Sequence, residues 1–137
     1  MNRSISTRPF QVAIIQHAPV FLNLEESLAK GCSLIEEAAS GGASVIAFPE
    51  TWLPGYPVWL DYAPRAALWD YGPAKALFRI LVANSIAVPG DHLGRLLAAA
   101  GRTGTYIVMG AHELLGGTLY NTMLFLNRDG EGFGLHR

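Results

Sequence analysis

Two short apolar runs rich in β-branched residues, at positions 11–17 and 44–48, bracket a stretch patterned as a single amphipathic helix, and this strand, helix, strand order constrains the fold most. Runs of that kind suit strands covered on both faces, and a helix between them is the crossover that a parallel pair requires. Asn23 is placed to cap the helix, Glu25 and Glu26 lie at the positive end of its dipole, and Ser40-Gly41-Gly42 stops it. Leu24, Leu28, Cys32, Ile35 and Ala39 share one face. The expected class is α/β, with an open sheet whose ligands gather beyond the C-terminal ends of the strands.

Immediately past the second run comes Phe48-Pro49-Glu50-Thr51-Trp52-Leu53-Pro54-Gly55-Tyr56-Pro57, which sets one carboxylate in a turn locked by prolines and flanked by aromatics. Trp52, Tyr56 and Trp59 are expected to wall Glu50 and partly desolvate it, the setting in which a carboxylate serves in proton transfer. Glu50 is the candidate catalytic residue; the alternative is an acid that only accepts backbone hydrogen bonds in its turn. The loop over 51–64 is longer than a plain connection needs, which points to a pocket. Tyr56 and Trp59 either line that pocket as substrate-binding residues or simply pack.

Downstream, Pro73 opens a helix expected to run to about Ser85, and Pro89-Gly90-Asp91 resets the chain into another ending near Gly101, both packed on the sheet. Residues 105–111 read as a strand, Gly116-Gly117 as a turn, and 118–126 as the antiparallel neighbour. Asn127-Arg128-Asp129-Gly130 turns the chain into one more short extended piece. No repeat, low-complexity tract or linker divides the chain.

Several chemistries drop out. A net charge of −1 without a basic run offers nothing to hold nucleic acid or an anionic bilayer. Residues 1–8 hold no apolar signal core and no later run reaches membrane-spanning length, so no membrane association and a cytoplasmic location are expected. The single Cys32 agrees with a reducing compartment. It lies on the apolar stripe of its helix, where a cysteine is more often an inert core residue than a nucleophile. His112-Glu113 opens like a zinc-protease helix, but Gly116 stands where the second histidine belongs, and His17, His92 and His136 lack ligand spacing. No metal site is expected. Serine-hydrolase elbows and nucleotide-binding loops are also absent.

The Gln11-Val12-Ala13 strand, Phe48-Pro49-Glu50, Trp52-Leu53-Pro54-Gly55-Tyr56-Pro57, Gly117-Thr118-Leu119-Tyr120-Asn121-Thr122 and terminal Leu135-His136-Arg137 together resemble the nitrilase, or carbon-nitrogen hydrolase, superfamily. The run from Trp52 to Pro57 is most similar to the true nitrilase branch rather than to amidases or carbamoylases. The resemblance implies an α-β-β-α sandwich of which residues 1–137 are the N-terminal part of a single domain, so an incomplete one. It also implies a Glu-Lys-Cys catalytic set in which Glu50 matches the glutamate. The lysine would follow His136-Arg137 directly and the cysteine would lie further on, so the chain alone is expected to be inactive.

A small-molecule nitrile as substrate, a homo-oligomeric assembly and no cofactor are further implications. So is a place for His136 in the layer behind the reacting groups. Asn121 and Glu113 are candidates for that layer too, Asn121 either orienting site groups or bonding a loop backbone. An interaction module or complementing half-domain, and a fragment of the amidase or carbamoylase branch, are the alternative readings.

Overall fold

The computed structural model describes residues 9–68 and 70–137. The expectation for residues 1–8 therefore lies outside the described residues. The elements run β1 (Gln11–Ile14), α1 (Leu24–Ser40), β2 (Ala43–Ala47), α2 (Trp59–Tyr62), α3 (Gly72–Ala83), α4 (Asp91–Thr103), β3 (Tyr106–Leu115), β4 (Thr118–Leu126) and β5 (Phe133–His136). The strands form one five-stranded sheet in the order β1-β2-β3-β4-β5. β1, β2 and β3 are parallel, and β4 and β5 continue the sheet in antiparallel fashion.

The local signals act as their chemistry dictates. The Asn23 side chain accepts the Glu26 amide at 3.1 Å, capping α1. Gly116 and Gly117, at φ 56° and 83°, form the two-residue turn between β3 and β4, a conformation open to glycine at little cost. β1 ends at Ile14 rather than at His17, although the Ile15 amide still donates to Ala47. β3 runs four residues beyond the expected Ala111, because its far half pairs with β4 and takes isolated bridges from Leu53 and Ile86. Long-range pairing of this sort leaves no mark in the segment's own pattern.

Side chains alternate across the sheet, and the two faces differ sharply. On one face Ile46, Ile107, Met109 and Leu124 meet Leu28 and Ile35 of α1 and Leu96 and Ala99 of α4 in a dry core. Each such leucine or isoleucine, fully removed from water, contributes roughly 1.5–3 kcal/mol. On the other face Val12, Ile14, Tyr106 and Phe125 stay 46–66 % exposed. The helix layer and first sheet of the expected sandwich are thus present, and no second sheet covers the open face among the described residues.

One packing expectation fails. α3 does not lie on the sheet with α4 but closes a separate small cluster in which Leu81 meets Trp59 of α2 and Ala66, with Leu119 of β4 packed against it. Its Leu81 face is satisfied by the long loop, so Phe78, Ile80 and Val82 are left partly exposed.

Candidate active site

Glu50 is placed by a bulge between two anchored points on β3. The Phe48 amide donates to Val108 at 2.8 Å, and Pro49, lacking an amide, cannot continue the ladder. The chain then arches over Gly110 and rejoins β3 at Leu53, whose amide donates to Gly110 at 3.0 Å while its carbonyl accepts the His112 amide at 2.8 Å. A β-carbon on Gly110 would collide with the Pro49 carbonyl oxygen and sit 2.7 Å from the Glu50 α-carbon. Only glycine permits that approach. Thr51, buried and with φ at 50°, takes a left-handed conformation that a β-branched residue rarely adopts, its hydroxyl donating to the Glu50 carbonyl at 2.8 Å. Strain of this kind is typical of segments whose geometry is imposed for function.

Behind the bulge, Trp52 is 2 % exposed, donates its indole N–H to the His17 carbonyl at 2.7 Å and packs edge-on to Phe48. The arch is therefore rooted in the core while its tip projects over the open sheet face.

At that tip Glu50 is exposed, not desolvated. Of the aromatics expected to wall it, Trp52 and Tyr56 line the hollow beside Glu50 and Trp59 does not. Trp52 is part of the foundation, and Trp59 is buried in the α2–α3 cluster, edge-on to Phe78 at 5.6 Å and to Phe21 at 6.2 Å. Trp59 borders neither hollow beside Glu50. Tyr56 does border one, a cleft of about 300 Å³ shared with His17, Pro19 and Glu50. The negative charge of Asp61, helped by that of Glu50, pushes the Tyr56 phenol above its ordinary range, so it stays a neutral hydroxyl at physiological pH.

A second hollow of about 370 Å³ lies on the other side of Glu50, lined by Asn121, Met123, His136 and Arg137. Asn121 faces His112 across the β3–β4 ladder, and its amide donates to the Glu50 carboxylate. His136 reaches the same hollow from β5, opposite Met123. Glu50, Asn121 and His136 thus converge on the open face from the end of β2, from β4 and from β5.

Glu113 is elsewhere. One residue after His112, it points to the opposite face, where it is wholly buried and accepts Nε and Nη2 of Arg137 at 2.8 and 2.7 Å and the Thr122 hydroxyl at 2.7 Å. The Arg137 fork holds the carboxyl below its usual range despite burial, and the guanidinium also lies over the Tyr120 ring. Glu113 is a strut for the end of β5 rather than a neighbour of Glu50. Gly110, Thr51, Thr122 and the pairing role of Arg137 are not evident from the sequence alone. For Gly110 a signal exists, since a lone glycine inside a strand marks close backbone approach. Cys32 is half-buried against the core, and burial raises its thiol above the ordinary range, which fits an inert residue.

Residues 11–137 match the family model for carbon-nitrogen hydrolases. The chain belongs to the carbon-nitrogen hydrolase family. Among relatives of this family, it is 40 % identical over 129 residues to a protein named nitrilase 2 from an unknown prokaryotic organism, covering 92 % of this chain and 39 % of the relative. It is 38 % identical over 130 residues to a nitrilase of Bacillus sp. strain OxB-1, covering 93 % and 36 %. This carbon-nitrogen hydrolase chain therefore spans less than two-fifths of the length of those relatives.

Solved structures of the family share the fold. A CN-hydrolase superfamily protein from Xanthomonas campestris superposes with a TM-score of 0.64 at 15 % identity, over 90 % of this chain and 38 % of its own. An amidase from Nesterenkonia sp. superposes with a TM-score of 0.61 at 18 % identity, over 99 % and 45 %.

Proposed function

We propose that this chain is the N-terminal part of a nitrilase domain that converts a small-molecule nitrile to a carboxylic acid and ammonia, with Glu50 as its proton-transfer residue. The observation that carries the reading is the strained, glycine-dependent bulge that delivers Glu50, held by Asn121, to an open face beside two hollows. A carboxylate with a single side-chain partner and free access to solvent has lone pairs to spare for a reacting proton.

In the reaction a thiolate attacks the nitrile carbon to form a thioimidate, a first water adds and ammonia leaves to give a thioester, and a second water hydrolyses the thioester to the acid and frees the thiol. Glu50 takes the thiol proton, passes it toward the departing nitrogen, and activates water. Asn121 holds the carboxylate for these transfers, and His136 and Tyr56 border the space where the substrate would sit. The thiolate and the cation that stabilises developing charge must come from outside this chain. Its one cysteine, Cys32, packs on the helix side of the sheet, and its lysines are Lys30 on α1 and Lys75, which pairs with Asp70. The isolated chain is accordingly inactive, because members of such a set act cooperatively. No cofactor is needed by this chemistry. The working enzyme is a cytoplasmic homo-oligomer in this reading, and among the described residues no helix is long and apolar enough to cross a membrane.

A second reading rests on the open sheet face. Exposed Val12, Ile14, Tyr106 and Phe125 would suit a half-domain that docks on a separately made complement. Ammonia release from a panel of aliphatic and aromatic nitriles distinguishes these readings. The chain alone should release none above the blank, and mixing with a segment of a nitrilase relative that carries the lysine and cysteine should restore it. Robust turnover by the chain alone would refute the proposal, and docking without turnover would favour the second reading.

A further inference from the structure

We infer that His112 is a positioning residue for Glu50: its imidazole, buried beneath the 51–55 turn and directly across the ladder from Asn121, keeps the turn and the Asn121 amide in the relation that holds the carboxylate. The inference rests on the reading of Glu50 given above.

The backbone of His112 is fixed on both sides, its amide donating to Leu53 at 2.8 Å and its carbonyl accepting the Ile86 amide at 2.9 Å. Alternation along β3 turns its side chain to the same face as Gly110, the face over which the Glu50 bulge arches. The ring is 8 % exposed, its Nε2 has no hydrogen-bond partner, and it contacts the Gly55 backbone. A histidine so enclosed fills the space under the turn as a neutral body. Burial favours that neutral form, opposed in part by the Gly55 backbone and the Glu50 charge.

The charged and titratable groups around it are few. Glu50 and Tyr56 belong to the turn above, His17 lines the same cleft, Asp61 acts on Tyr56, His136 borders the far side of Glu50 from β5, and Glu113 lies on the opposite face, already saturated by Arg137. Asn121 is uncharged. While the ring is neutral, it does not compete with Asn121 for the carboxylate. Once protonated, the buried imidazolium has the Gly55 backbone as partner on one side and an unpaired Nε2 on the other, and Glu50 is the anion whose charge acts on it. The ionic attraction then draws the carboxylate away from the Asn121 amide. His112 thus confines the productive Glu50 geometry to the pH range where its own ring is neutral.

Nuclear magnetic resonance of the 137-residue chain tests this by following the His112 ring nitrogens and the Asn121 side-chain amide between about pH 8 and pH 5. The Asn121 amide should shift with the same midpoint as His112, below the 6.5 of an ordinary histidine. The step should vanish in His112→Gln. In Glu50→Gln the Asn121 amide should be displaced at every pH. If Glu50→Gln leaves Asn121 unmoved, the Glu50 contact itself is absent and the site reading fails. If Glu50→Gln displaces it but His112 titration does not, the His112 inference is overturned, and the parent chain supplies that outcome even should His112→Gln not fold.

Discussion

The sheet carries a glutamate on each face, and they are built in opposite ways. Glu113 is fully buried, with three donors from Arg137 and Thr122, while Glu50 is exposed, with one donor from Asn121. Glu113 has its hydrogen-bonding capacity consumed by the fold, which makes it a structural member. Glu50 is carried by a backbone that is itself costly, with Thr51 in a left-handed conformation and Gly110 in direct contact, and its carboxylate is left available. Where the fold spends strain on placing a group and then leaves it unsaturated, chemistry is the better explanation than stability.

Arg137→Ala should break this comparison most strongly in stability. It leaves the Glu113 carboxylate with the Thr122 hydroxyl as its remaining donor and should give the largest fall in the urea unfolding midpoint. Glu113→Gln should cost less, because the partly exposed Arg137 can turn to water. Equal, small losses would mean that the pair is no strut. Gly110→Ala comes next, at about 1–3 kcal/mol, since its β-carbon must push the Pro49–Glu50 backbone aside. The same variant should detach Glu50 from Asn121, visible in the Asn121 amide resonance.

The pH dependence sharpens the contrast further. Because Arg137 depresses the Glu113 pKa, the unfolded chain binds more protons there than the folded one in acid. The stabilisation from this group is present above 4.5 and is lost as pH falls from 4.5 through the lower folded value. The urea midpoint of the parent should therefore drop over that interval, and that of Arg137→Ala should drop less. The smallest effect is expected for Glu50→Gln, within about 0.5 kcal/mol of the parent, as for other exposed positions.

Much of the scaffold was legible because its signals are local. Asn23, the Gly116-Gly117 turn and the alternation over β4 each act within a few residues, and each did what its chemistry required. The identity of Glu50 as a residue displayed past a strand end was legible for the same reason. Its surroundings were not. Trp59 follows Glu50 closely in sequence yet is claimed by Phe21 and Phe78, and the solvent exposure of Glu50 depends on what covers the sheet face. The Glu113–Arg137 pair follows from the β3–β4–β5 register, which no single segment encodes. α3 likewise reads as an ordinary amphipathic helix, and only the long loop's own small core decides that it packs away from the sheet.

The central claim is that Glu50 works and Glu113 supports. It is tested most directly by measuring kcat for ammonia release, corrected for the folded fraction, in the complemented protein bearing Glu50→Gln or Glu113→Gln. Glu50→Gln should lower kcat by about 10³-fold or more while the unfolding midpoint stays put, and Glu113→Gln should lower the midpoint with a far smaller loss of kcat. Turnover by Glu50→Gln equal to the parent would contradict the account.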